Sequence, residues 1–220
     1  MKILPLARAL AAATLATALA NPALANTVNL TGFSHGSQTL TVTYPSTTKN
    51  VTAGQFLGTL DGNSFRTFCT QLSETFSFND PQNYTIVNGL SAWGSTVYQG
   101  LNKLMSYGQL LGLPTNTTNS VVFQAAVWEV VYQTDGVYDF SSGAFKASSG
   151  NATTQAALNS WDWSIVMSTP ITHTTNQLFH PTKQDFLVTT PVPEPESYAM
   201  MLAGLGLVGA IARRRRSAAN

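Results

Sequence analysis

The chain has 220 residues, room for one ordinary domain once its ends are set aside, with a formal net charge of +1 and 10% charged residues. The near-neutral total hides a division, because residues 26–192 carry five Lys or Arg against eight Asp or Glu, a net of −3. No basic surface remains there to hold a phosphate backbone, which excludes nucleic acid as a partner, and the lone Cys69 excludes an internal disulfide.

Residues 1–25 read as a secretory signal. Lys2 and Arg8 supply the charge, residues 9–20 the apolar core, and Ala23-Leu24-Ala25 a small-residue cleavage site before Asn26. The chain is therefore expected to be exported. Exposed thiols oxidise outside the cytoplasm, so Cys69 is expected to be buried or chemically occupied.

Residues 27–48 are rich in Thr, Ser, Gly and Val. The alternation in Thr39-Leu40-Thr41-Val42-Thr43-Tyr44 predicts strands, with a turn at Pro45-Ser46. A further strand is expected over 51–60, ended by the turn signal Asp61-Gly62-Asn63. Residues 64–78 read as a long strand or hairpin carrying Phe65, Phe68, Leu72, Phe76 and Phe78, with Cys69 inside it, and 84–87 as a short strand.

From Ser95 the period changes. Leu101, Leu104, Met105, Leu110 and Leu111 fit a helix with one apolar face, over 100–111, stopped at Gly112-Leu113-Pro114. A second helix is expected over 120–133, capped by Asn119 or Ser120 and stopped at Asp135-Gly136. Gln124 shares a stripe of it with Val121, Val127, Trp128 and Val131, while Phe123, Ala126 and Val130 form another; both are apolar, so the helix should be largely buried. Residues 143–150 look like a loop, 152–167 helical or mixed with Trp161 and Trp163 as packing anchors, and Phe179 with 186–188 suggests a last strand. The sum is an α+β domain over 26–190, a β-rich sandwich or barrel with the two helices packed on it.

The last thirty residues, 191–220, are organised in three parts. Val192-Pro193-Glu194-Pro195 precedes an apolar run over 198–212, and Arg213, Arg214, Arg215 and Arg216 follow at once. The run is on the short side of the ~20 residues of a membrane helix, and four arginines would hold its end on the cytoplasmic side. This tail resembles a PEP-CTERM sorting signal. The resemblance implies a Gram-negative, exopolysaccharide-producing bacterium, transient anchoring in the inner membrane, and cleavage near the Pro-Glu-Pro box by an exosortase. Delivery to the cell surface or extracellular matrix would follow.

A second resemblance lies inside the domain. Phe68-Cys69-Thr70 and Phe123-Gln124-Ala125-Ala126-Val127-Trp128 are similar to the two halves of the thioester-domain signature of bacterial surface adhesins, over roughly residues 56–139. Thr70 stands where that family more often has an apolar residue. The resemblance implies an internal thioester between Cys69 and Gln124, framed by Phe68, Phe123, Ala126 and Trp128. A glutamine on a buried apolar stripe is costly unless partnered, and condensation with the thiol releases ammonia and removes the N–H₂. An amine or hydroxyl on an outside partner would then attack the Gln124 carbonyl, Cys69 would leave, and a covalent link would remain. The bond is spent once, so the chain is expected not to be an enzyme. His35, His173 and His180 have no metal-ligand spacing, and neither a metal nor another cofactor is expected.

Two other readings stay open. One is a non-covalent structural matrix protein with an inert Cys69. The other is a cysteine hydrolase using Cys69, a histidine, and Gln124 as an oxyanion donor.

Overall fold

The computed structural model describes residues 25–192, 200–205 and 207–208. The signal-peptide residues 1–24, the Pro193-Glu194-Pro195 box and Arg213 to Arg216 lie outside the described residues.

The architecture is α+β, and of the sandwich and the barrel it is the barrel that forms. Six antiparallel strands make the larger sheet: β1 (Asn26–Phe33), β4 (Phe56–Leu60), β5 (Asn63–Thr67), β6 (Gln82–Asn88), β8 (His173–Phe179) and β9 (Phe186–Pro191), in the order β5-β4-β1-β6-β8-β9. The smaller sheet has the order β3-β2-β7, from β2 (Gln38–Thr43), β3 (Thr48–Ala53) and β7 (Lys146–Ser148). The alternation around Leu40 and Val42 points those two side chains into the core, where both are fully buried. The β4–β5 hairpin turns on Asp61 and Gly62, both left-handed (φ 51° and 79°), with Leu60 facing Asn63. That is the two-residue turn whose twist matches the flanking strands.

Residues 64–78 form neither the long strand nor the hairpin expected of them. β5 stops at Thr67, and the next three residues cross to the far edge of the sheet. Leu187 N–H donates to the Phe68 carbonyl (3.0 Å), Thr70 N–H to the Asp185 carbonyl (2.9 Å), and the Thr67 hydroxyl to the Leu187 carbonyl (2.6 Å). Cys69 faces Phe186 in a single antiparallel bridge. This seam brings the first and last strands of the sheet together and nearly closes the barrel. Beyond it, the chain packs Phe76 edge-on against Phe56 and Phe186, at centroid distances of 5.1 and 5.3 Å.

Helix α1 (Gly89–Leu111) begins eleven residues before the expected 100–111 helix and is kinked at Gly94 (φ 74°). Gly112 ends it in the left-handed conformation (φ 63°), with Leu113 N–H donating to the Gly108 carbonyl. Helix α2 (Thr117–Tyr132) is capped by Asn116, whose side chain accepts from Asn119 N–H. The expected cap, Ser120, instead lies inside the helix and accepts from Gln55 N–H (2.6 Å), tying α2 to the β3–β4 connection. Every residue from Ser120 to Val130 is buried, as two apolar stripes require. The 152–167 region resolves into α3 (Ala152–Asn159) and α4 (Trp163–Ser168), the latter capped by Asp162. The 143–150 loop holds the short strand β7, and the final strand is two, β8 and β9.

Candidate functional site

The site is built where α2 crosses the barrel seam. Cys69 lies opposite Phe186, and the ladder bonds on that side belong to its neighbours, Phe68 and Thr70. Its own N–H and carbonyl therefore face away from β9. There they meet one side chain, Gln124, from 55 residues along the chain: Cys69 N–H donates to Gln124 Oε1 (3.0 Å) and Gln124 Nε2 donates to the Cys69 carbonyl (2.9 Å). The carboxamide takes the place of a peptide unit of one further strand. Two bonds to one residue set the Gln124 side-chain carbon opposite the Cys69 Cα, two covalent bonds from the sulfur. Gln124 is fully buried and Cys69 is 1% exposed, so no bulk water reaches the pair.

One stripe of α2 makes this possible. Gln124, Trp128 and Tyr132 are spaced four apart, on one face of the helix. Gln124 meets Cys69, and the Tyr132 hydroxyl accepts from Leu72 N–H (2.8 Å). Between them the Trp128 indole N–H is turned toward the thiol but makes no hydrogen bond of ordinary geometry. Phe68 and Phe123 stack at 5.0 Å and close the other side. Ala126 falls on the stripe with Phe123 and Val130, which meets α1 at Gly108 and Gly100. Thr70 is buried, its hydroxyl without a partner.

The electrostatics are those of a dry pocket. Burial pushes the Cys69 thiol far up, against a small opposing effect of the Trp128 N–H, so the thiol is protonated. Tyr132 is raised to about 12, by burial first and by the nearness of Cys69 among weaker causes, against the Leu72 N–H. No histidine hydrogen-bonds Cys69 among the described residues. His35 Nδ1 pairs with the Ser34 hydroxyl, His173 Nδ1 with that of Thr172, and His180 Nδ1 accepts from Thr182 N–H. No cluster of three or more His, Cys, Asp or Glu suited to a metal occurs among the described residues.

A groove of about 570 Å³ runs between β3 and residues 72–78, with Trp128 in its wall beside Leu72, Phe56 and Glu74. Trp128 thus borders both the groove and the thiol. Tyr132 belongs to no motif; its position eight residues after Gln124, on the same stripe, is the signal that finds it. The seam partners Asp185 and Leu187 carry no such local signal.

Residues 191–216 match the PEP-CTERM protein-sorting motif. No curated protein and no solved structure matches the chain. The motif defines the class: an exported cell-surface protein, sorted through processing by an exosortase. No helix among the described residues is long and apolar enough to cross a membrane. Within the motif, Met200, Met201, Leu202 and Leu205 lie in a helical stretch and are exposed.

Proposed function

We propose that this surface protein is a single-use covalent adhesin, in which the Cys69 thiol condenses with the Gln124 carboxamide and the resulting thioester captures an outside amine or hydroxyl. The observation that carries the reading is the two-point contact of the Gln124 carboxamide with the Cys69 backbone, at 3.0 and 2.9 Å, inside a pocket closed to water. Once the sulfur and the carboxamide carbon are held at near-attack distance, proximity and orientation can supply about 7–11 kcal/mol toward the bond-forming step.

The balance is simple. The Cys69 sulfur bonds to the Gln124 side-chain carbon, the C–N bond breaks, and the thiol proton leaves with the nitrogen as ammonia. Condensation replaces a thiol and an amide with a junction that has no proton to lose and no N–H to satisfy, which suits a buried apolar stripe. In capture, the nucleophile adds to the same carbon, the C–S bond breaks and the thiol is restored. The groove is walled by Trp128 and does not reach that carbon, so capture from this side requires the indole to move aside. Nothing in the cycle regenerates the thioester, so the protein does not turn over, and the partner's nucleophile, protein amine or polysaccharide hydroxyl, is consumed with it.

A specific observation favours the second reading, a structural matrix protein with an inert cysteine. The intact carboxamide already satisfies both polar groups of Cys69, and the thioester would forfeit the bond from Nε2. Intact mass of the freshly purified exported protein separates the two. The adhesin is lighter than its residues by ~17 Da, the mass of the ammonia expelled, takes up methylamine at Gln124, and shows neither property as Cys69→Ala. A full residue mass with a titratable thiol ends the covalent reading and leaves the structural one.

A further inference from the structure

A cleft of about 450 Å³ opens between the 138–141 loop and the α3–α4 connection; it shares no lining residue with the Cys69 pair, and its Trp161 ring packs 6.1 Å from that of Phe123. Its walls are aromatic: Trp161, Trp163, Tyr138 and Phe140, with Trp163 5.0 Å from Tyr138 and 5.3 Å from Phe140, ring centre to ring centre. Both tryptophans are half-buried, and their indole nitrogens are tucked away from solvent without an acceptor. The surface they lend the cleft is therefore ring carbon, not N–H.

The polar groups at the rim are of two kinds. Asp139 is exposed and anchored by its own loop: Oδ1 accepts from the Ser141 N–H and hydroxyl (2.9 and 2.8 Å) and Oδ2 from the Ser142 hydroxyl (2.9 Å). A carboxylate has about four acceptor positions, so one is left to face a ligand. On the other side, Gln155 is spent internally, accepting from Ser149 N–H (2.7 Å) and donating to Asn159 Oδ1 (2.8 Å). That fixes the Asn159 amide with its Nδ2 donor free of any partner among the described residues. Asp139 is the one charged residue lining the cleft.

We infer that this cleft is a non-covalent binding site for a neutral pyranose unit of a polysaccharide. A pyranose has a face of weakly positive C–H bonds, which the negative faces of aromatic rings attract, and a rim of hydroxyls that both donate and accept. Asp139 takes a donated hydroxyl and Asn159 supplies the complementary donor. The volume falls in the range of about 300–1,000 Å³ of small-ligand sites, and the lining sets polar groups beside the aromatic faces, as a sugar's own mixed surface requires. Asp139, with no cation among the lining residues, turns away acidic sugars, so the ligand carries no negative charge. The site is independent of the thioester: it would hold a surface protein against a glycan whether or not Cys69 reacts.

The test uses the exported protein as Cys69→Ala, which removes covalent capture from the outcome. Tryptophan fluorescence is titrated with cellopentaose and maltopentaose as neutral probes and with pentagalacturonic acid as the charged one. At least one neutral probe should give a saturable change, weakened at least tenfold in Trp163→Ala, while the galacturonate gives none. Asn159→Ala truncates an exposed side chain at the end of α3 and should fold; it should weaken binding severalfold, so that a Trp163→Ala protein that fails to fold does not decide the matter. The inference is overturned if neither neutral probe binds, if the galacturonate binds as well as they do, or if binding survives Asn159→Ala unchanged.

Discussion

At the scale of single residues, Gln124 and Cys69 have separable roles, and stability measurements divide them. Gln124→Leu leaves the Cys69 N–H and carbonyl buried without partners. Each such group costs about 1–3 kcal/mol, so the variant should lose roughly 2–6 kcal/mol in urea unfolding. Cys69→Ala keeps both backbone bonds. If the sulfur is inert, the loss is that of one small buried group, about 1 kcal/mol. If the sulfur is joined to Gln124, the junction closes a loop of 55 residues, and by the chain-entropy relation for cross-links its removal costs about 4 kcal/mol. The two outcomes differ by more than the error of the extrapolation. Methylamine, which opens the same loop without changing a residue, should then bring the wild-type protein down by a similar amount.

At the scale of elements, α2 is held on every side, and two of its contacts give further predictions. A Cβ on Gly108 of α1 would lie 2.6 Å from the Phe123 ring. Phe123 cannot retreat, because it is stacked on Phe68. Alanine would gain about 1 kcal/mol of helix propensity, but overpacking of this kind costs about 1–3 kcal/mol, so Gly108→Ala should be destabilising in thermal or urea unfolding. A neutral or stabilised variant would show that α1 and α2 slide freely.

The second contact is Glu129, fully buried, whose Oε1 accepts from Asp139 N–H (2.8 Å) while Oε2 has no partner. Burial raises its carboxyl to about 8, the Asp139 N–H opposing this and the charges of Asp139 and Asp135 adding to it. The folded state then binds a proton that the unfolded chain has released, from the ordinary carboxylate range near pH 4.5 up to about 8. Stability must fall as pH rises through that window, by up to ~1.4 kcal/mol per unit for one group, and level off above it. Asp185, raised to about 6 mainly by burial, adds a fall of the same sign below pH 6. In Glu129→Gln the slope between pH 6 and 8 should largely disappear. A slope that persists unchanged there assigns it to another group.

These elements also show what was legible beforehand. The burial of α2 followed from its two apolar stripes, and the Asp61-Gly62 turn from residues that tolerate positive φ. The start of α2 was misplaced because Asn116, Asn119 and Ser120 are all competent caps, and only the tertiary bond from Gln55 to Ser120 decides among them. The seam was not legible. Phe68 to Thr70 look like a continuation of β5, and nothing local says that they pair with Asp185 to Leu187, more than a hundred residues on. Cys69 and Gln124 were singled out together by resemblance; that they meet through the Cys69 backbone required the fold.

At the scale of the whole molecule, the sorting tail was readable because it is a linear code: box, apolar run and arginines work by order and need no folded partner. Its chemistry makes the final prediction. The chain as translated carries +1, whereas residues 26–192 carry −3. Export followed by cleavage near Pro193-Glu194-Pro195 removes the signal, the apolar run and Arg213 to Arg216 in one passage to the surface, so the surface form should focus on the acidic side of neutrality. Glu194→Ala, which alters the box but not the apolar run or the arginines, should accumulate a membrane-bound protein that keeps its basic terminus. Isoelectric focusing and intact mass of surface and membrane fractions read both effects. If the wild-type surface form retained its four arginines, cleavage would not be the step that releases it, and the arginine cluster would have to be pulled through the membrane against the positive-inside preference. That is the costly passage which cutting at the box avoids.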